Sequence, residues 1–260
     1  MNGAPIISAL GIPPNALVEQ RVPKKLLLDH GAPTAADKRQ IQDGIEEIVW
    51  VAALKATNIG VPAFEDVVRQ YLEIAVLTVE FRPSARPARL IELIHRAIPY
   101  PLVLVTKHGE SVSLSLAHKR WSQGESGKVV IDEVRQATLS PAAPSTQEAA
   151  FLASLAVSLL PSQDLFTLYD GILARLTALE ASRITGAFAP PDSPEQASAL
   201  RQGLDRLAGL QRDLNLLRAR AAKEKQINRR VELNLEIKRL EIELASTTID
   251  LGNGRFHESY

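Results

Sequence analysis

Between residues 34 and 140 the apolar positions change period several times, and each change marks an element. Ile41, Ile45 and Ile48 recur at helical spacing behind Thr34, an N-cap with Asp37 three residues on, so a helix is expected from Thr34 to about Glu47. Ile48 to Leu54 is apolar with Val and Trp. From Tyr71 to Phe81, Leu72, Ile74 and Val76 alternate with Glu73, Ala75 and Leu77. Both segments predict strands, and Asn58, Gly60 and Pro62 between them predict an antiparallel pair joined by a loop. Leu90, Ile91, Ile94 and Ile98 line one face of a helix over Ala88 to Ile98, closed by Pro99 and Pro101. Leu102 to Thr106 and Ser111 to Ala117 read as a hairpin whose second strand sets Val112, Leu114 and Leu116 against serines. Leu26 to Leu28 reads as a short early strand, and Val129 to Val134 as a last one after a turn from Ser122 to Gly127. The order predicts an α+β domain over residues 1–140, a mostly antiparallel sheet with helices on one face, with an irregular Gly- and Pro-rich lead-in up to about residue 24.

The pattern changes at Ser140 to Ser145, where Pro141 and Pro144 suggest a boundary, and residues 141–260 read as all-helical. Helices are expected at about 146–160, 164–184 and 195–251, with Ser162 capping the second and Ser193-Pro194-Glu195 starting the third. In the third, Leu200, Leu207, Leu214, Asn228, Leu235, Ile242 and Ile249 fall in a seven-residue series, with Leu217 and Val231 three residues after members of it. That is a coiled-coil heptad, with defects at Gly203, Glu224 and Lys238. A single helix of that length would extend roughly 85 Å and needs a partner helix for its apolar stripe. The predicted helix interface is therefore Leu200, Leu207, Leu214, Leu217, Val231, Leu235 and Ile242.

Composition narrows the chemistry. Thirty basic and thirty acidic residues cancel, so nucleic acid or membrane binding would need a local patch. With no cysteine, disulfides, thiolate nucleophiles and Cys-type zinc sites are excluded. Met1 to Leu10 lacks the basic and apolar regions of a signal peptide, and no apolar run approaches the roughly 20 residues of a membrane span, so a cytoplasmic protein is expected.

Several segments carry a family resemblance. They are Leu26-Leu27-Leu28 after Pro23-Lys24-Lys25, Thr34-Ala35-Ala36-Asp37-Lys38 and Ile48-Val49-Trp50. Longer ones are His95-Arg96-Ala97-Ile98-Pro99-Tyr100-Pro101 after Ile94, Ser115-Leu116-Ala117-His118-Lys119-Arg120, and the run from Lys223 to Asn234. From about Ile12 to Leu244 the chain resembles the bacterial domain-of-unknown-function family 4391. The resemblance implies an accessory protein encoded beside helicases and DNA methyltransferases in restriction-like or phage-defence clusters. It brings no catalytic residues.

Two groups of residues could contact phosphate or nucleic acid. The first is His95, Arg96, His118, Lys119 and Arg120, where a helix end and a strand end would form a cationic pocket. The plainer reading has the histidines fixing helix to sheet and the cations paired with Glu92 and Glu80. The second is the basic stretch Arg218, Arg220, Lys223, Lys225, Arg229 and Arg230, which either follows a DNA backbone or forms a solvated helix face. No phosphate-binding Gly loop, nucleophile elbow or His-rich metal spacing is present, so no cofactor, metal or catalytic residue is expected. A metal-dependent nuclease needs an acid before the lysine at a strand end, and Val105-Thr106-Lys107 lacks one. The expected role is a non-enzymatic scaffold or adaptor that binds a helicase, methyltransferase or nuclease component, or a second copy, through the helical tail. The rivals are a nucleic-acid-binding module and, more weakly, a divergent nuclease.

Overall fold

A computed structural model describes residues 4–125, 129–132, 134–140 and 143–252. Ser126 and Gly127 of the predicted turn, Glu133 of the predicted last strand, and Pro141 and Ala142 of the predicted linker lie outside the described residues. In chain order the first elements are α1 (Ala4–Ala9), β1 (Leu17–Arg21), α2 (Lys24–His30), α3 (Ala35–Gly44), β2 (Ile45–Lys55) and α4 (Ala56–Ile59). Next come β3 (Phe64–Glu65), β4 (Gln70–Tyr71), β5 (Glu73–Phe81), α5 (Pro87–Ala97), β6 (Leu102–His108) and β7 (Ser111–Leu116). The last are β8 (Lys119–Trp121), β9 (Val129–Ile131), β10 (Arg135–Leu139), α6 (Thr146–Ser154), α7 (Leu165–Thr185), α8 (Pro194–Lys223) and α9 (Ile227–Gly252). The fold is α+β, and the chain divides into two compact units, residues 1–176 and 177–260.

The first unit is built on a six-stranded sheet in the order β1-β2-β5-β6-β7-β10. All neighbours are antiparallel except β5 and β6, which α5 joins as the crossover that a parallel pair requires. β6 lies in the interior of the sheet, and its run Leu102 to Thr106 is buried throughout, as a strand covered on both faces must be. α2, α3 and α5 set Leu27, Ile41, Leu90 and Ile94 against Ile48 of β2, Leu77 of β5 and Leu104 of β6. Gly31, just after α2, permits this closeness, because a Cβ there would sit 2.5 Å from the Ala97 methyl and 2.9 Å from the Leu93 carbonyl.

Several elements differ from the sequence reading. The Gly- and Pro-rich lead-in carries α1 and the edge strand β1. Leu26 to Leu28 is helical, within α2, because Pro23 presets the entry and only Leu27 is fully buried; three residues are too few for periodicity to separate helix from strand. α3 starts as predicted, Thr34 Oγ1 accepting from the Asp37 N–H at 3.1 Å, but it ends at Gly44, so Ile45 and Ile48 belong to β2. The segment read as one strand from Tyr71 is divided at Leu72 into β4 and β5. The short pairs β3–β4 and β8–β9 form separate two-stranded ribbons, and β10, which carries no strong alternation, closes the main sheet.

In the helical region the expected helix over 146–160 stops at Ser154, and a 3₁₀ turn follows at Val157–Leu159. The side chain capping α7 is Asp164 rather than Ser162, its carboxylate accepting from the Thr167 N–H at 2.8 Å. Ser193 caps α8 as its motif predicts, accepting from the Gln196 N–H at 3.2 Å. The composition changes near residue 140, whereas the division between the compact units falls inside α7.

The helix expected to run unbroken to Leu251 is two helices, separated at residues 224–226 and packed on each other. α8 buries Leu200, Leu204, Leu207, Leu210, Leu214 and Leu217. Its N-terminal half forms a core with Ala178 and Ala181 of α7 and Leu251 and Leu244 of α9. Across the break the heptad phase shifts. On α9 the face of Leu244 and Leu251 also carries Leu233, Ile237 and Leu240, all three half-buried, while Val231, Leu235 and Ile242 of the predicted interface are exposed. Gly203 is no defect, because a Cβ there would stand 2.9 Å from a Leu251 methyl.

Candidate functional site

At the end of β7 the chain turns through Ala117 and His118 into β8, and this corner gathers most of the residues that the sequence singles out. His118 bridges two distant segments: Nδ1 lies 2.6 Å from the Tyr71 hydroxyl and Nε2 lies 3.1 Å from Asp170 Oδ1. Burial raises the Tyr71 phenol well above its ordinary value, so it stays protonated. Its O–H donates to Nδ1, which leaves the Nε2–H to donate to Asp170. The same hydroxyl accepts from the Lys119 N–H at 3.4 Å.

Rings pack around this bridge. Phe166, Tyr71 and Tyr169 lie 5.2, 6.1 and 5.4 Å from the imidazole centroid, and Phe64 stacks on Phe166 at 5.0 Å. Tyr169 is fully buried. Its hydroxyl accepts from the Ala117 N–H at 2.9 Å and stands 2.9 and 3.0 Å from the carbonyls of Leu102 and Ala117. It thus occupies backbone groups at the edge of the corner that would otherwise be buried without partners. The Arg69 guanidinium lies 5.7 Å over the Phe166 ring and pairs with Asp132 at 3.0 Å, which also holds Arg120 at 3.1 Å.

Lys119 is buried, and its ammonium donates to the backbone carbonyls of His95 and Ile98, where α5 ends. Those carbonyls lack acceptor roles inside the helix and carry the negative end of its dipole. Burial nevertheless pushes Lys119 down to about 7. His95 is also fully buried, its Nε2 3.0 Å from Ser115 Oγ, and burial followed by the Lys119 charge pushes it down to about 3. It is a neutral link between α5 and β7.

Of the first predicted group, the structure brings His95, His118, Lys119 and Arg120 into one corner. Arg96 instead pairs with Glu92 at 2.6 Å on the exposed side of α5. A shallow cavity of about 280 Å³ lies beside Lys119 and Arg120, lined also by Tyr100 and Trp121. Tyr71, Asp170, Tyr169, Phe166 and Arg69 escaped sequence reasoning as site residues, and Asp132 reads from the sequence only as an isolated carboxylate. They carry no motif, and Tyr71 and Asp170 reach His118 from 47 and 52 residues away. Among the described residues no three His, Asp or Glu side chains gather as metal ligands would.

Of the second group, Arg218 pairs with Glu241 at 2.7 Å. Among the described residues Arg220, Lys223, Lys225, Arg229 and Arg230 have no acidic partner, and they cluster where α8 gives way to α9, with Glu224, Glu232 and Glu236 between them. Among the described residues no helix is long and apolar enough to cross a membrane.

A family model described as Domain of unknown function (DUF4391) matches residues 10–244. No curated protein and no solved structure matches the chain.

Proposed function

Because the chain belongs to the DUF4391 family, whose description carries no activity, we propose from its own residues that it is a non-enzymatic assembly subunit. In this reading it is an accessory scaffold or adaptor in a helicase- or methyltransferase-type anti-phage complex, the setting that the family resemblance implies. The observation that carries the reading is the row of exposed apolar residues on α9, with Leu235 and Ile242 at its centre. An apolar row at heptad spacing on a helix whose opposite face is already packed is what a partner helix recognises. The corner around His118 supports the same reading, since its polar side chains are engaged by groups of the chain itself: Lys119 by carbonyls, Arg120 and Arg69 by Asp132, and His118 by Tyr71 and Asp170. Affinity purification of the tagged chain from its native host tests the proposal. A helicase, methyltransferase or nuclease subunit is expected to co-purify with the wild type and to be lost in Leu235→Asp/Ile242→Asp. Retention of the subunit by that variant, or a wild type that purifies alone, overturns it.

A second reading has its own observation, the cations where α8 meets α9 that have no acidic partner among the described residues. Placed along a duplex they would neutralise phosphates, and each neutralised phosphate would steepen the fall of affinity with salt. Neutralising Arg218, Arg220, Arg229 and Arg230 together separates the readings. Under the adaptor reading the purified chain binds duplex DNA weakly at physiological salt and the variant changes little. Tight binding whose log–log salt slope drops by about one for each arginine removed from a phosphate favours the nucleic-acid module.

A further inference from the structure

On the footing of the assembly reading, we propose that the partner helix this row recognises is α9 of a second copy of this chain, paired antiparallel through the seam that α9 turns away from α8, and that a host subunit binds the paired form, so that the seam variant loses both. The seam runs Val231, Leu235, Lys238, Ile242, Ala245 and Ile249, with alternating steps of four and three. Val231, Leu235, Ile242 and Ile249 are 52, 56, 70 and 61% exposed. Leu233, Ile237, Leu240, Leu244 and Leu251 occupy the other side of the same helix, so the two stripes do not compete.

Charge selects the occupant and its direction. A parallel pair would set Lys238 against Lys238 in the seam, like charge on like at a buried position, and would bring no opposite charges together along the flanks. An antiparallel pair with its two-fold axis between Glu236 and Ile237 sets Val231 against Ile242 and Leu235 against Lys238. The lysine methylenes then cover the leucine and its ammonium reaches solvent. In that register Glu232 of each copy faces Arg239 of the other, twice by symmetry. Within the chain neither Glu232 nor Arg239 has an ion-pair partner among the described residues. Sliding the register by one heptad in one direction opposes Arg239 to Arg239, and in the other direction Glu232 to Glu232. The self-complementary register is thus the one in which the flanking charges attract, over an overlap from Asn228 to Ala245 of about 27 Å.

Sedimentation velocity of the full chain across a wide concentration range tests the pairing. The wild type is expected to sediment as a dimer at high concentration, and Leu235→Asp/Ile242→Asp as a monomer with unchanged helical circular dichroism. Glu232→Arg and Arg239→Glu should each weaken dimerisation by about tenfold, and the two together should restore it. A wild type that stays monomeric, a dimer that survives the seam variant, or charge reversals that do not rescue each other overturn the inference. The assembly reading fails separately. A monomeric wild type that loses a host subunit in the seam variant leaves that reading standing, whereas a rescued dimer with no host subunit upholds the pairing alone.

Discussion

The ammonium of Lys119 donates to the backbone carbonyl of His95, tying the start of β8 to the last turn of α5. Ile98 supplies a second carbonyl, so a strand residue closes the carbonyl end of α5. Lys119→Ala removes both bonds and leaves a cavity, and is expected to destabilise the chain by about 2–4 kcal/mol. Lys119→Met keeps the volume and should cost clearly less. Urea unfolding followed by circular dichroism checks the order of the two; equal losses would show that the carbonyl bonds dominate over packing.

Tyr169 and Tyr71 both send hydroxyls into the corner and each accepts from a backbone N–H, Ala117 at 2.9 Å for Tyr169 and Lys119 at a long 3.4 Å for Tyr71, so the first has more to lose. Tyr169→Phe strands the Ala117 N–H in the interior and should cost about 2–3 kcal/mol. Tyr71→Phe removes the hydroxyl from His118, which retains Asp170, and should cost about 1 kcal/mol. Thermal and denaturant melts of the two variants side by side give the comparison, and a larger loss for Tyr71→Phe would contradict it.

Asp37 meets Arg89 through two bonds, 2.8 and 3.0 Å, which together with Thr34 hold its carboxyl at about 2. The folded-state value lies below the ordinary 3.8, so the stabilisation is complete above about pH 4 and is lost as pH falls through about 2. Asp37→Asn should lower stability at neutral pH and flatten its acid dependence over that window. Acid titration monitored by tryptophan fluorescence tests this, and an unchanged acid limb would refute it.

Leu214 and Leu235 both lie on the seven-residue series, yet one is buried on α8 and the other exposed on α9. Leu214→Asp places a charge in the α8 interface and should destabilise the helical unit by about 3 kcal/mol or more. Leu235→Asp should leave stability within about 0.5 kcal/mol. Helical melts at low protein concentration, where self-association does not contribute, measure both.

By itself the sequence determined the elements whose signals are local. The Thr34 and Ser193 caps, the amphipathic stripe of α5, the β6–β7 hairpin and the α+β class all follow from spacing within a dozen residues, because capping and burial of one face act over one or two turns. His95, Arg96, His118, Lys119 and Arg120 stand out in the sequence as one group from their types and their places at a helix end and a strand end, and the fold sends Arg96 away to Glu92. Only tertiary structure decided what each of them touches. Tyr71 and Asp170 reach His118 across long stretches of chain, and the acceptors of Lys119 are backbone carbonyls, which no side-chain motif records. The same holds for the tail. A heptad gives the period of an apolar stripe but not the face a folded helix buries, and the short break at residues 224–226 turned α9 so that a second stripe packs and the predicted one is left exposed. A break of a few residues costs little locally and moves every later side chain around the helix axis, so the outcome rests on packing between helices and not on the pattern within one.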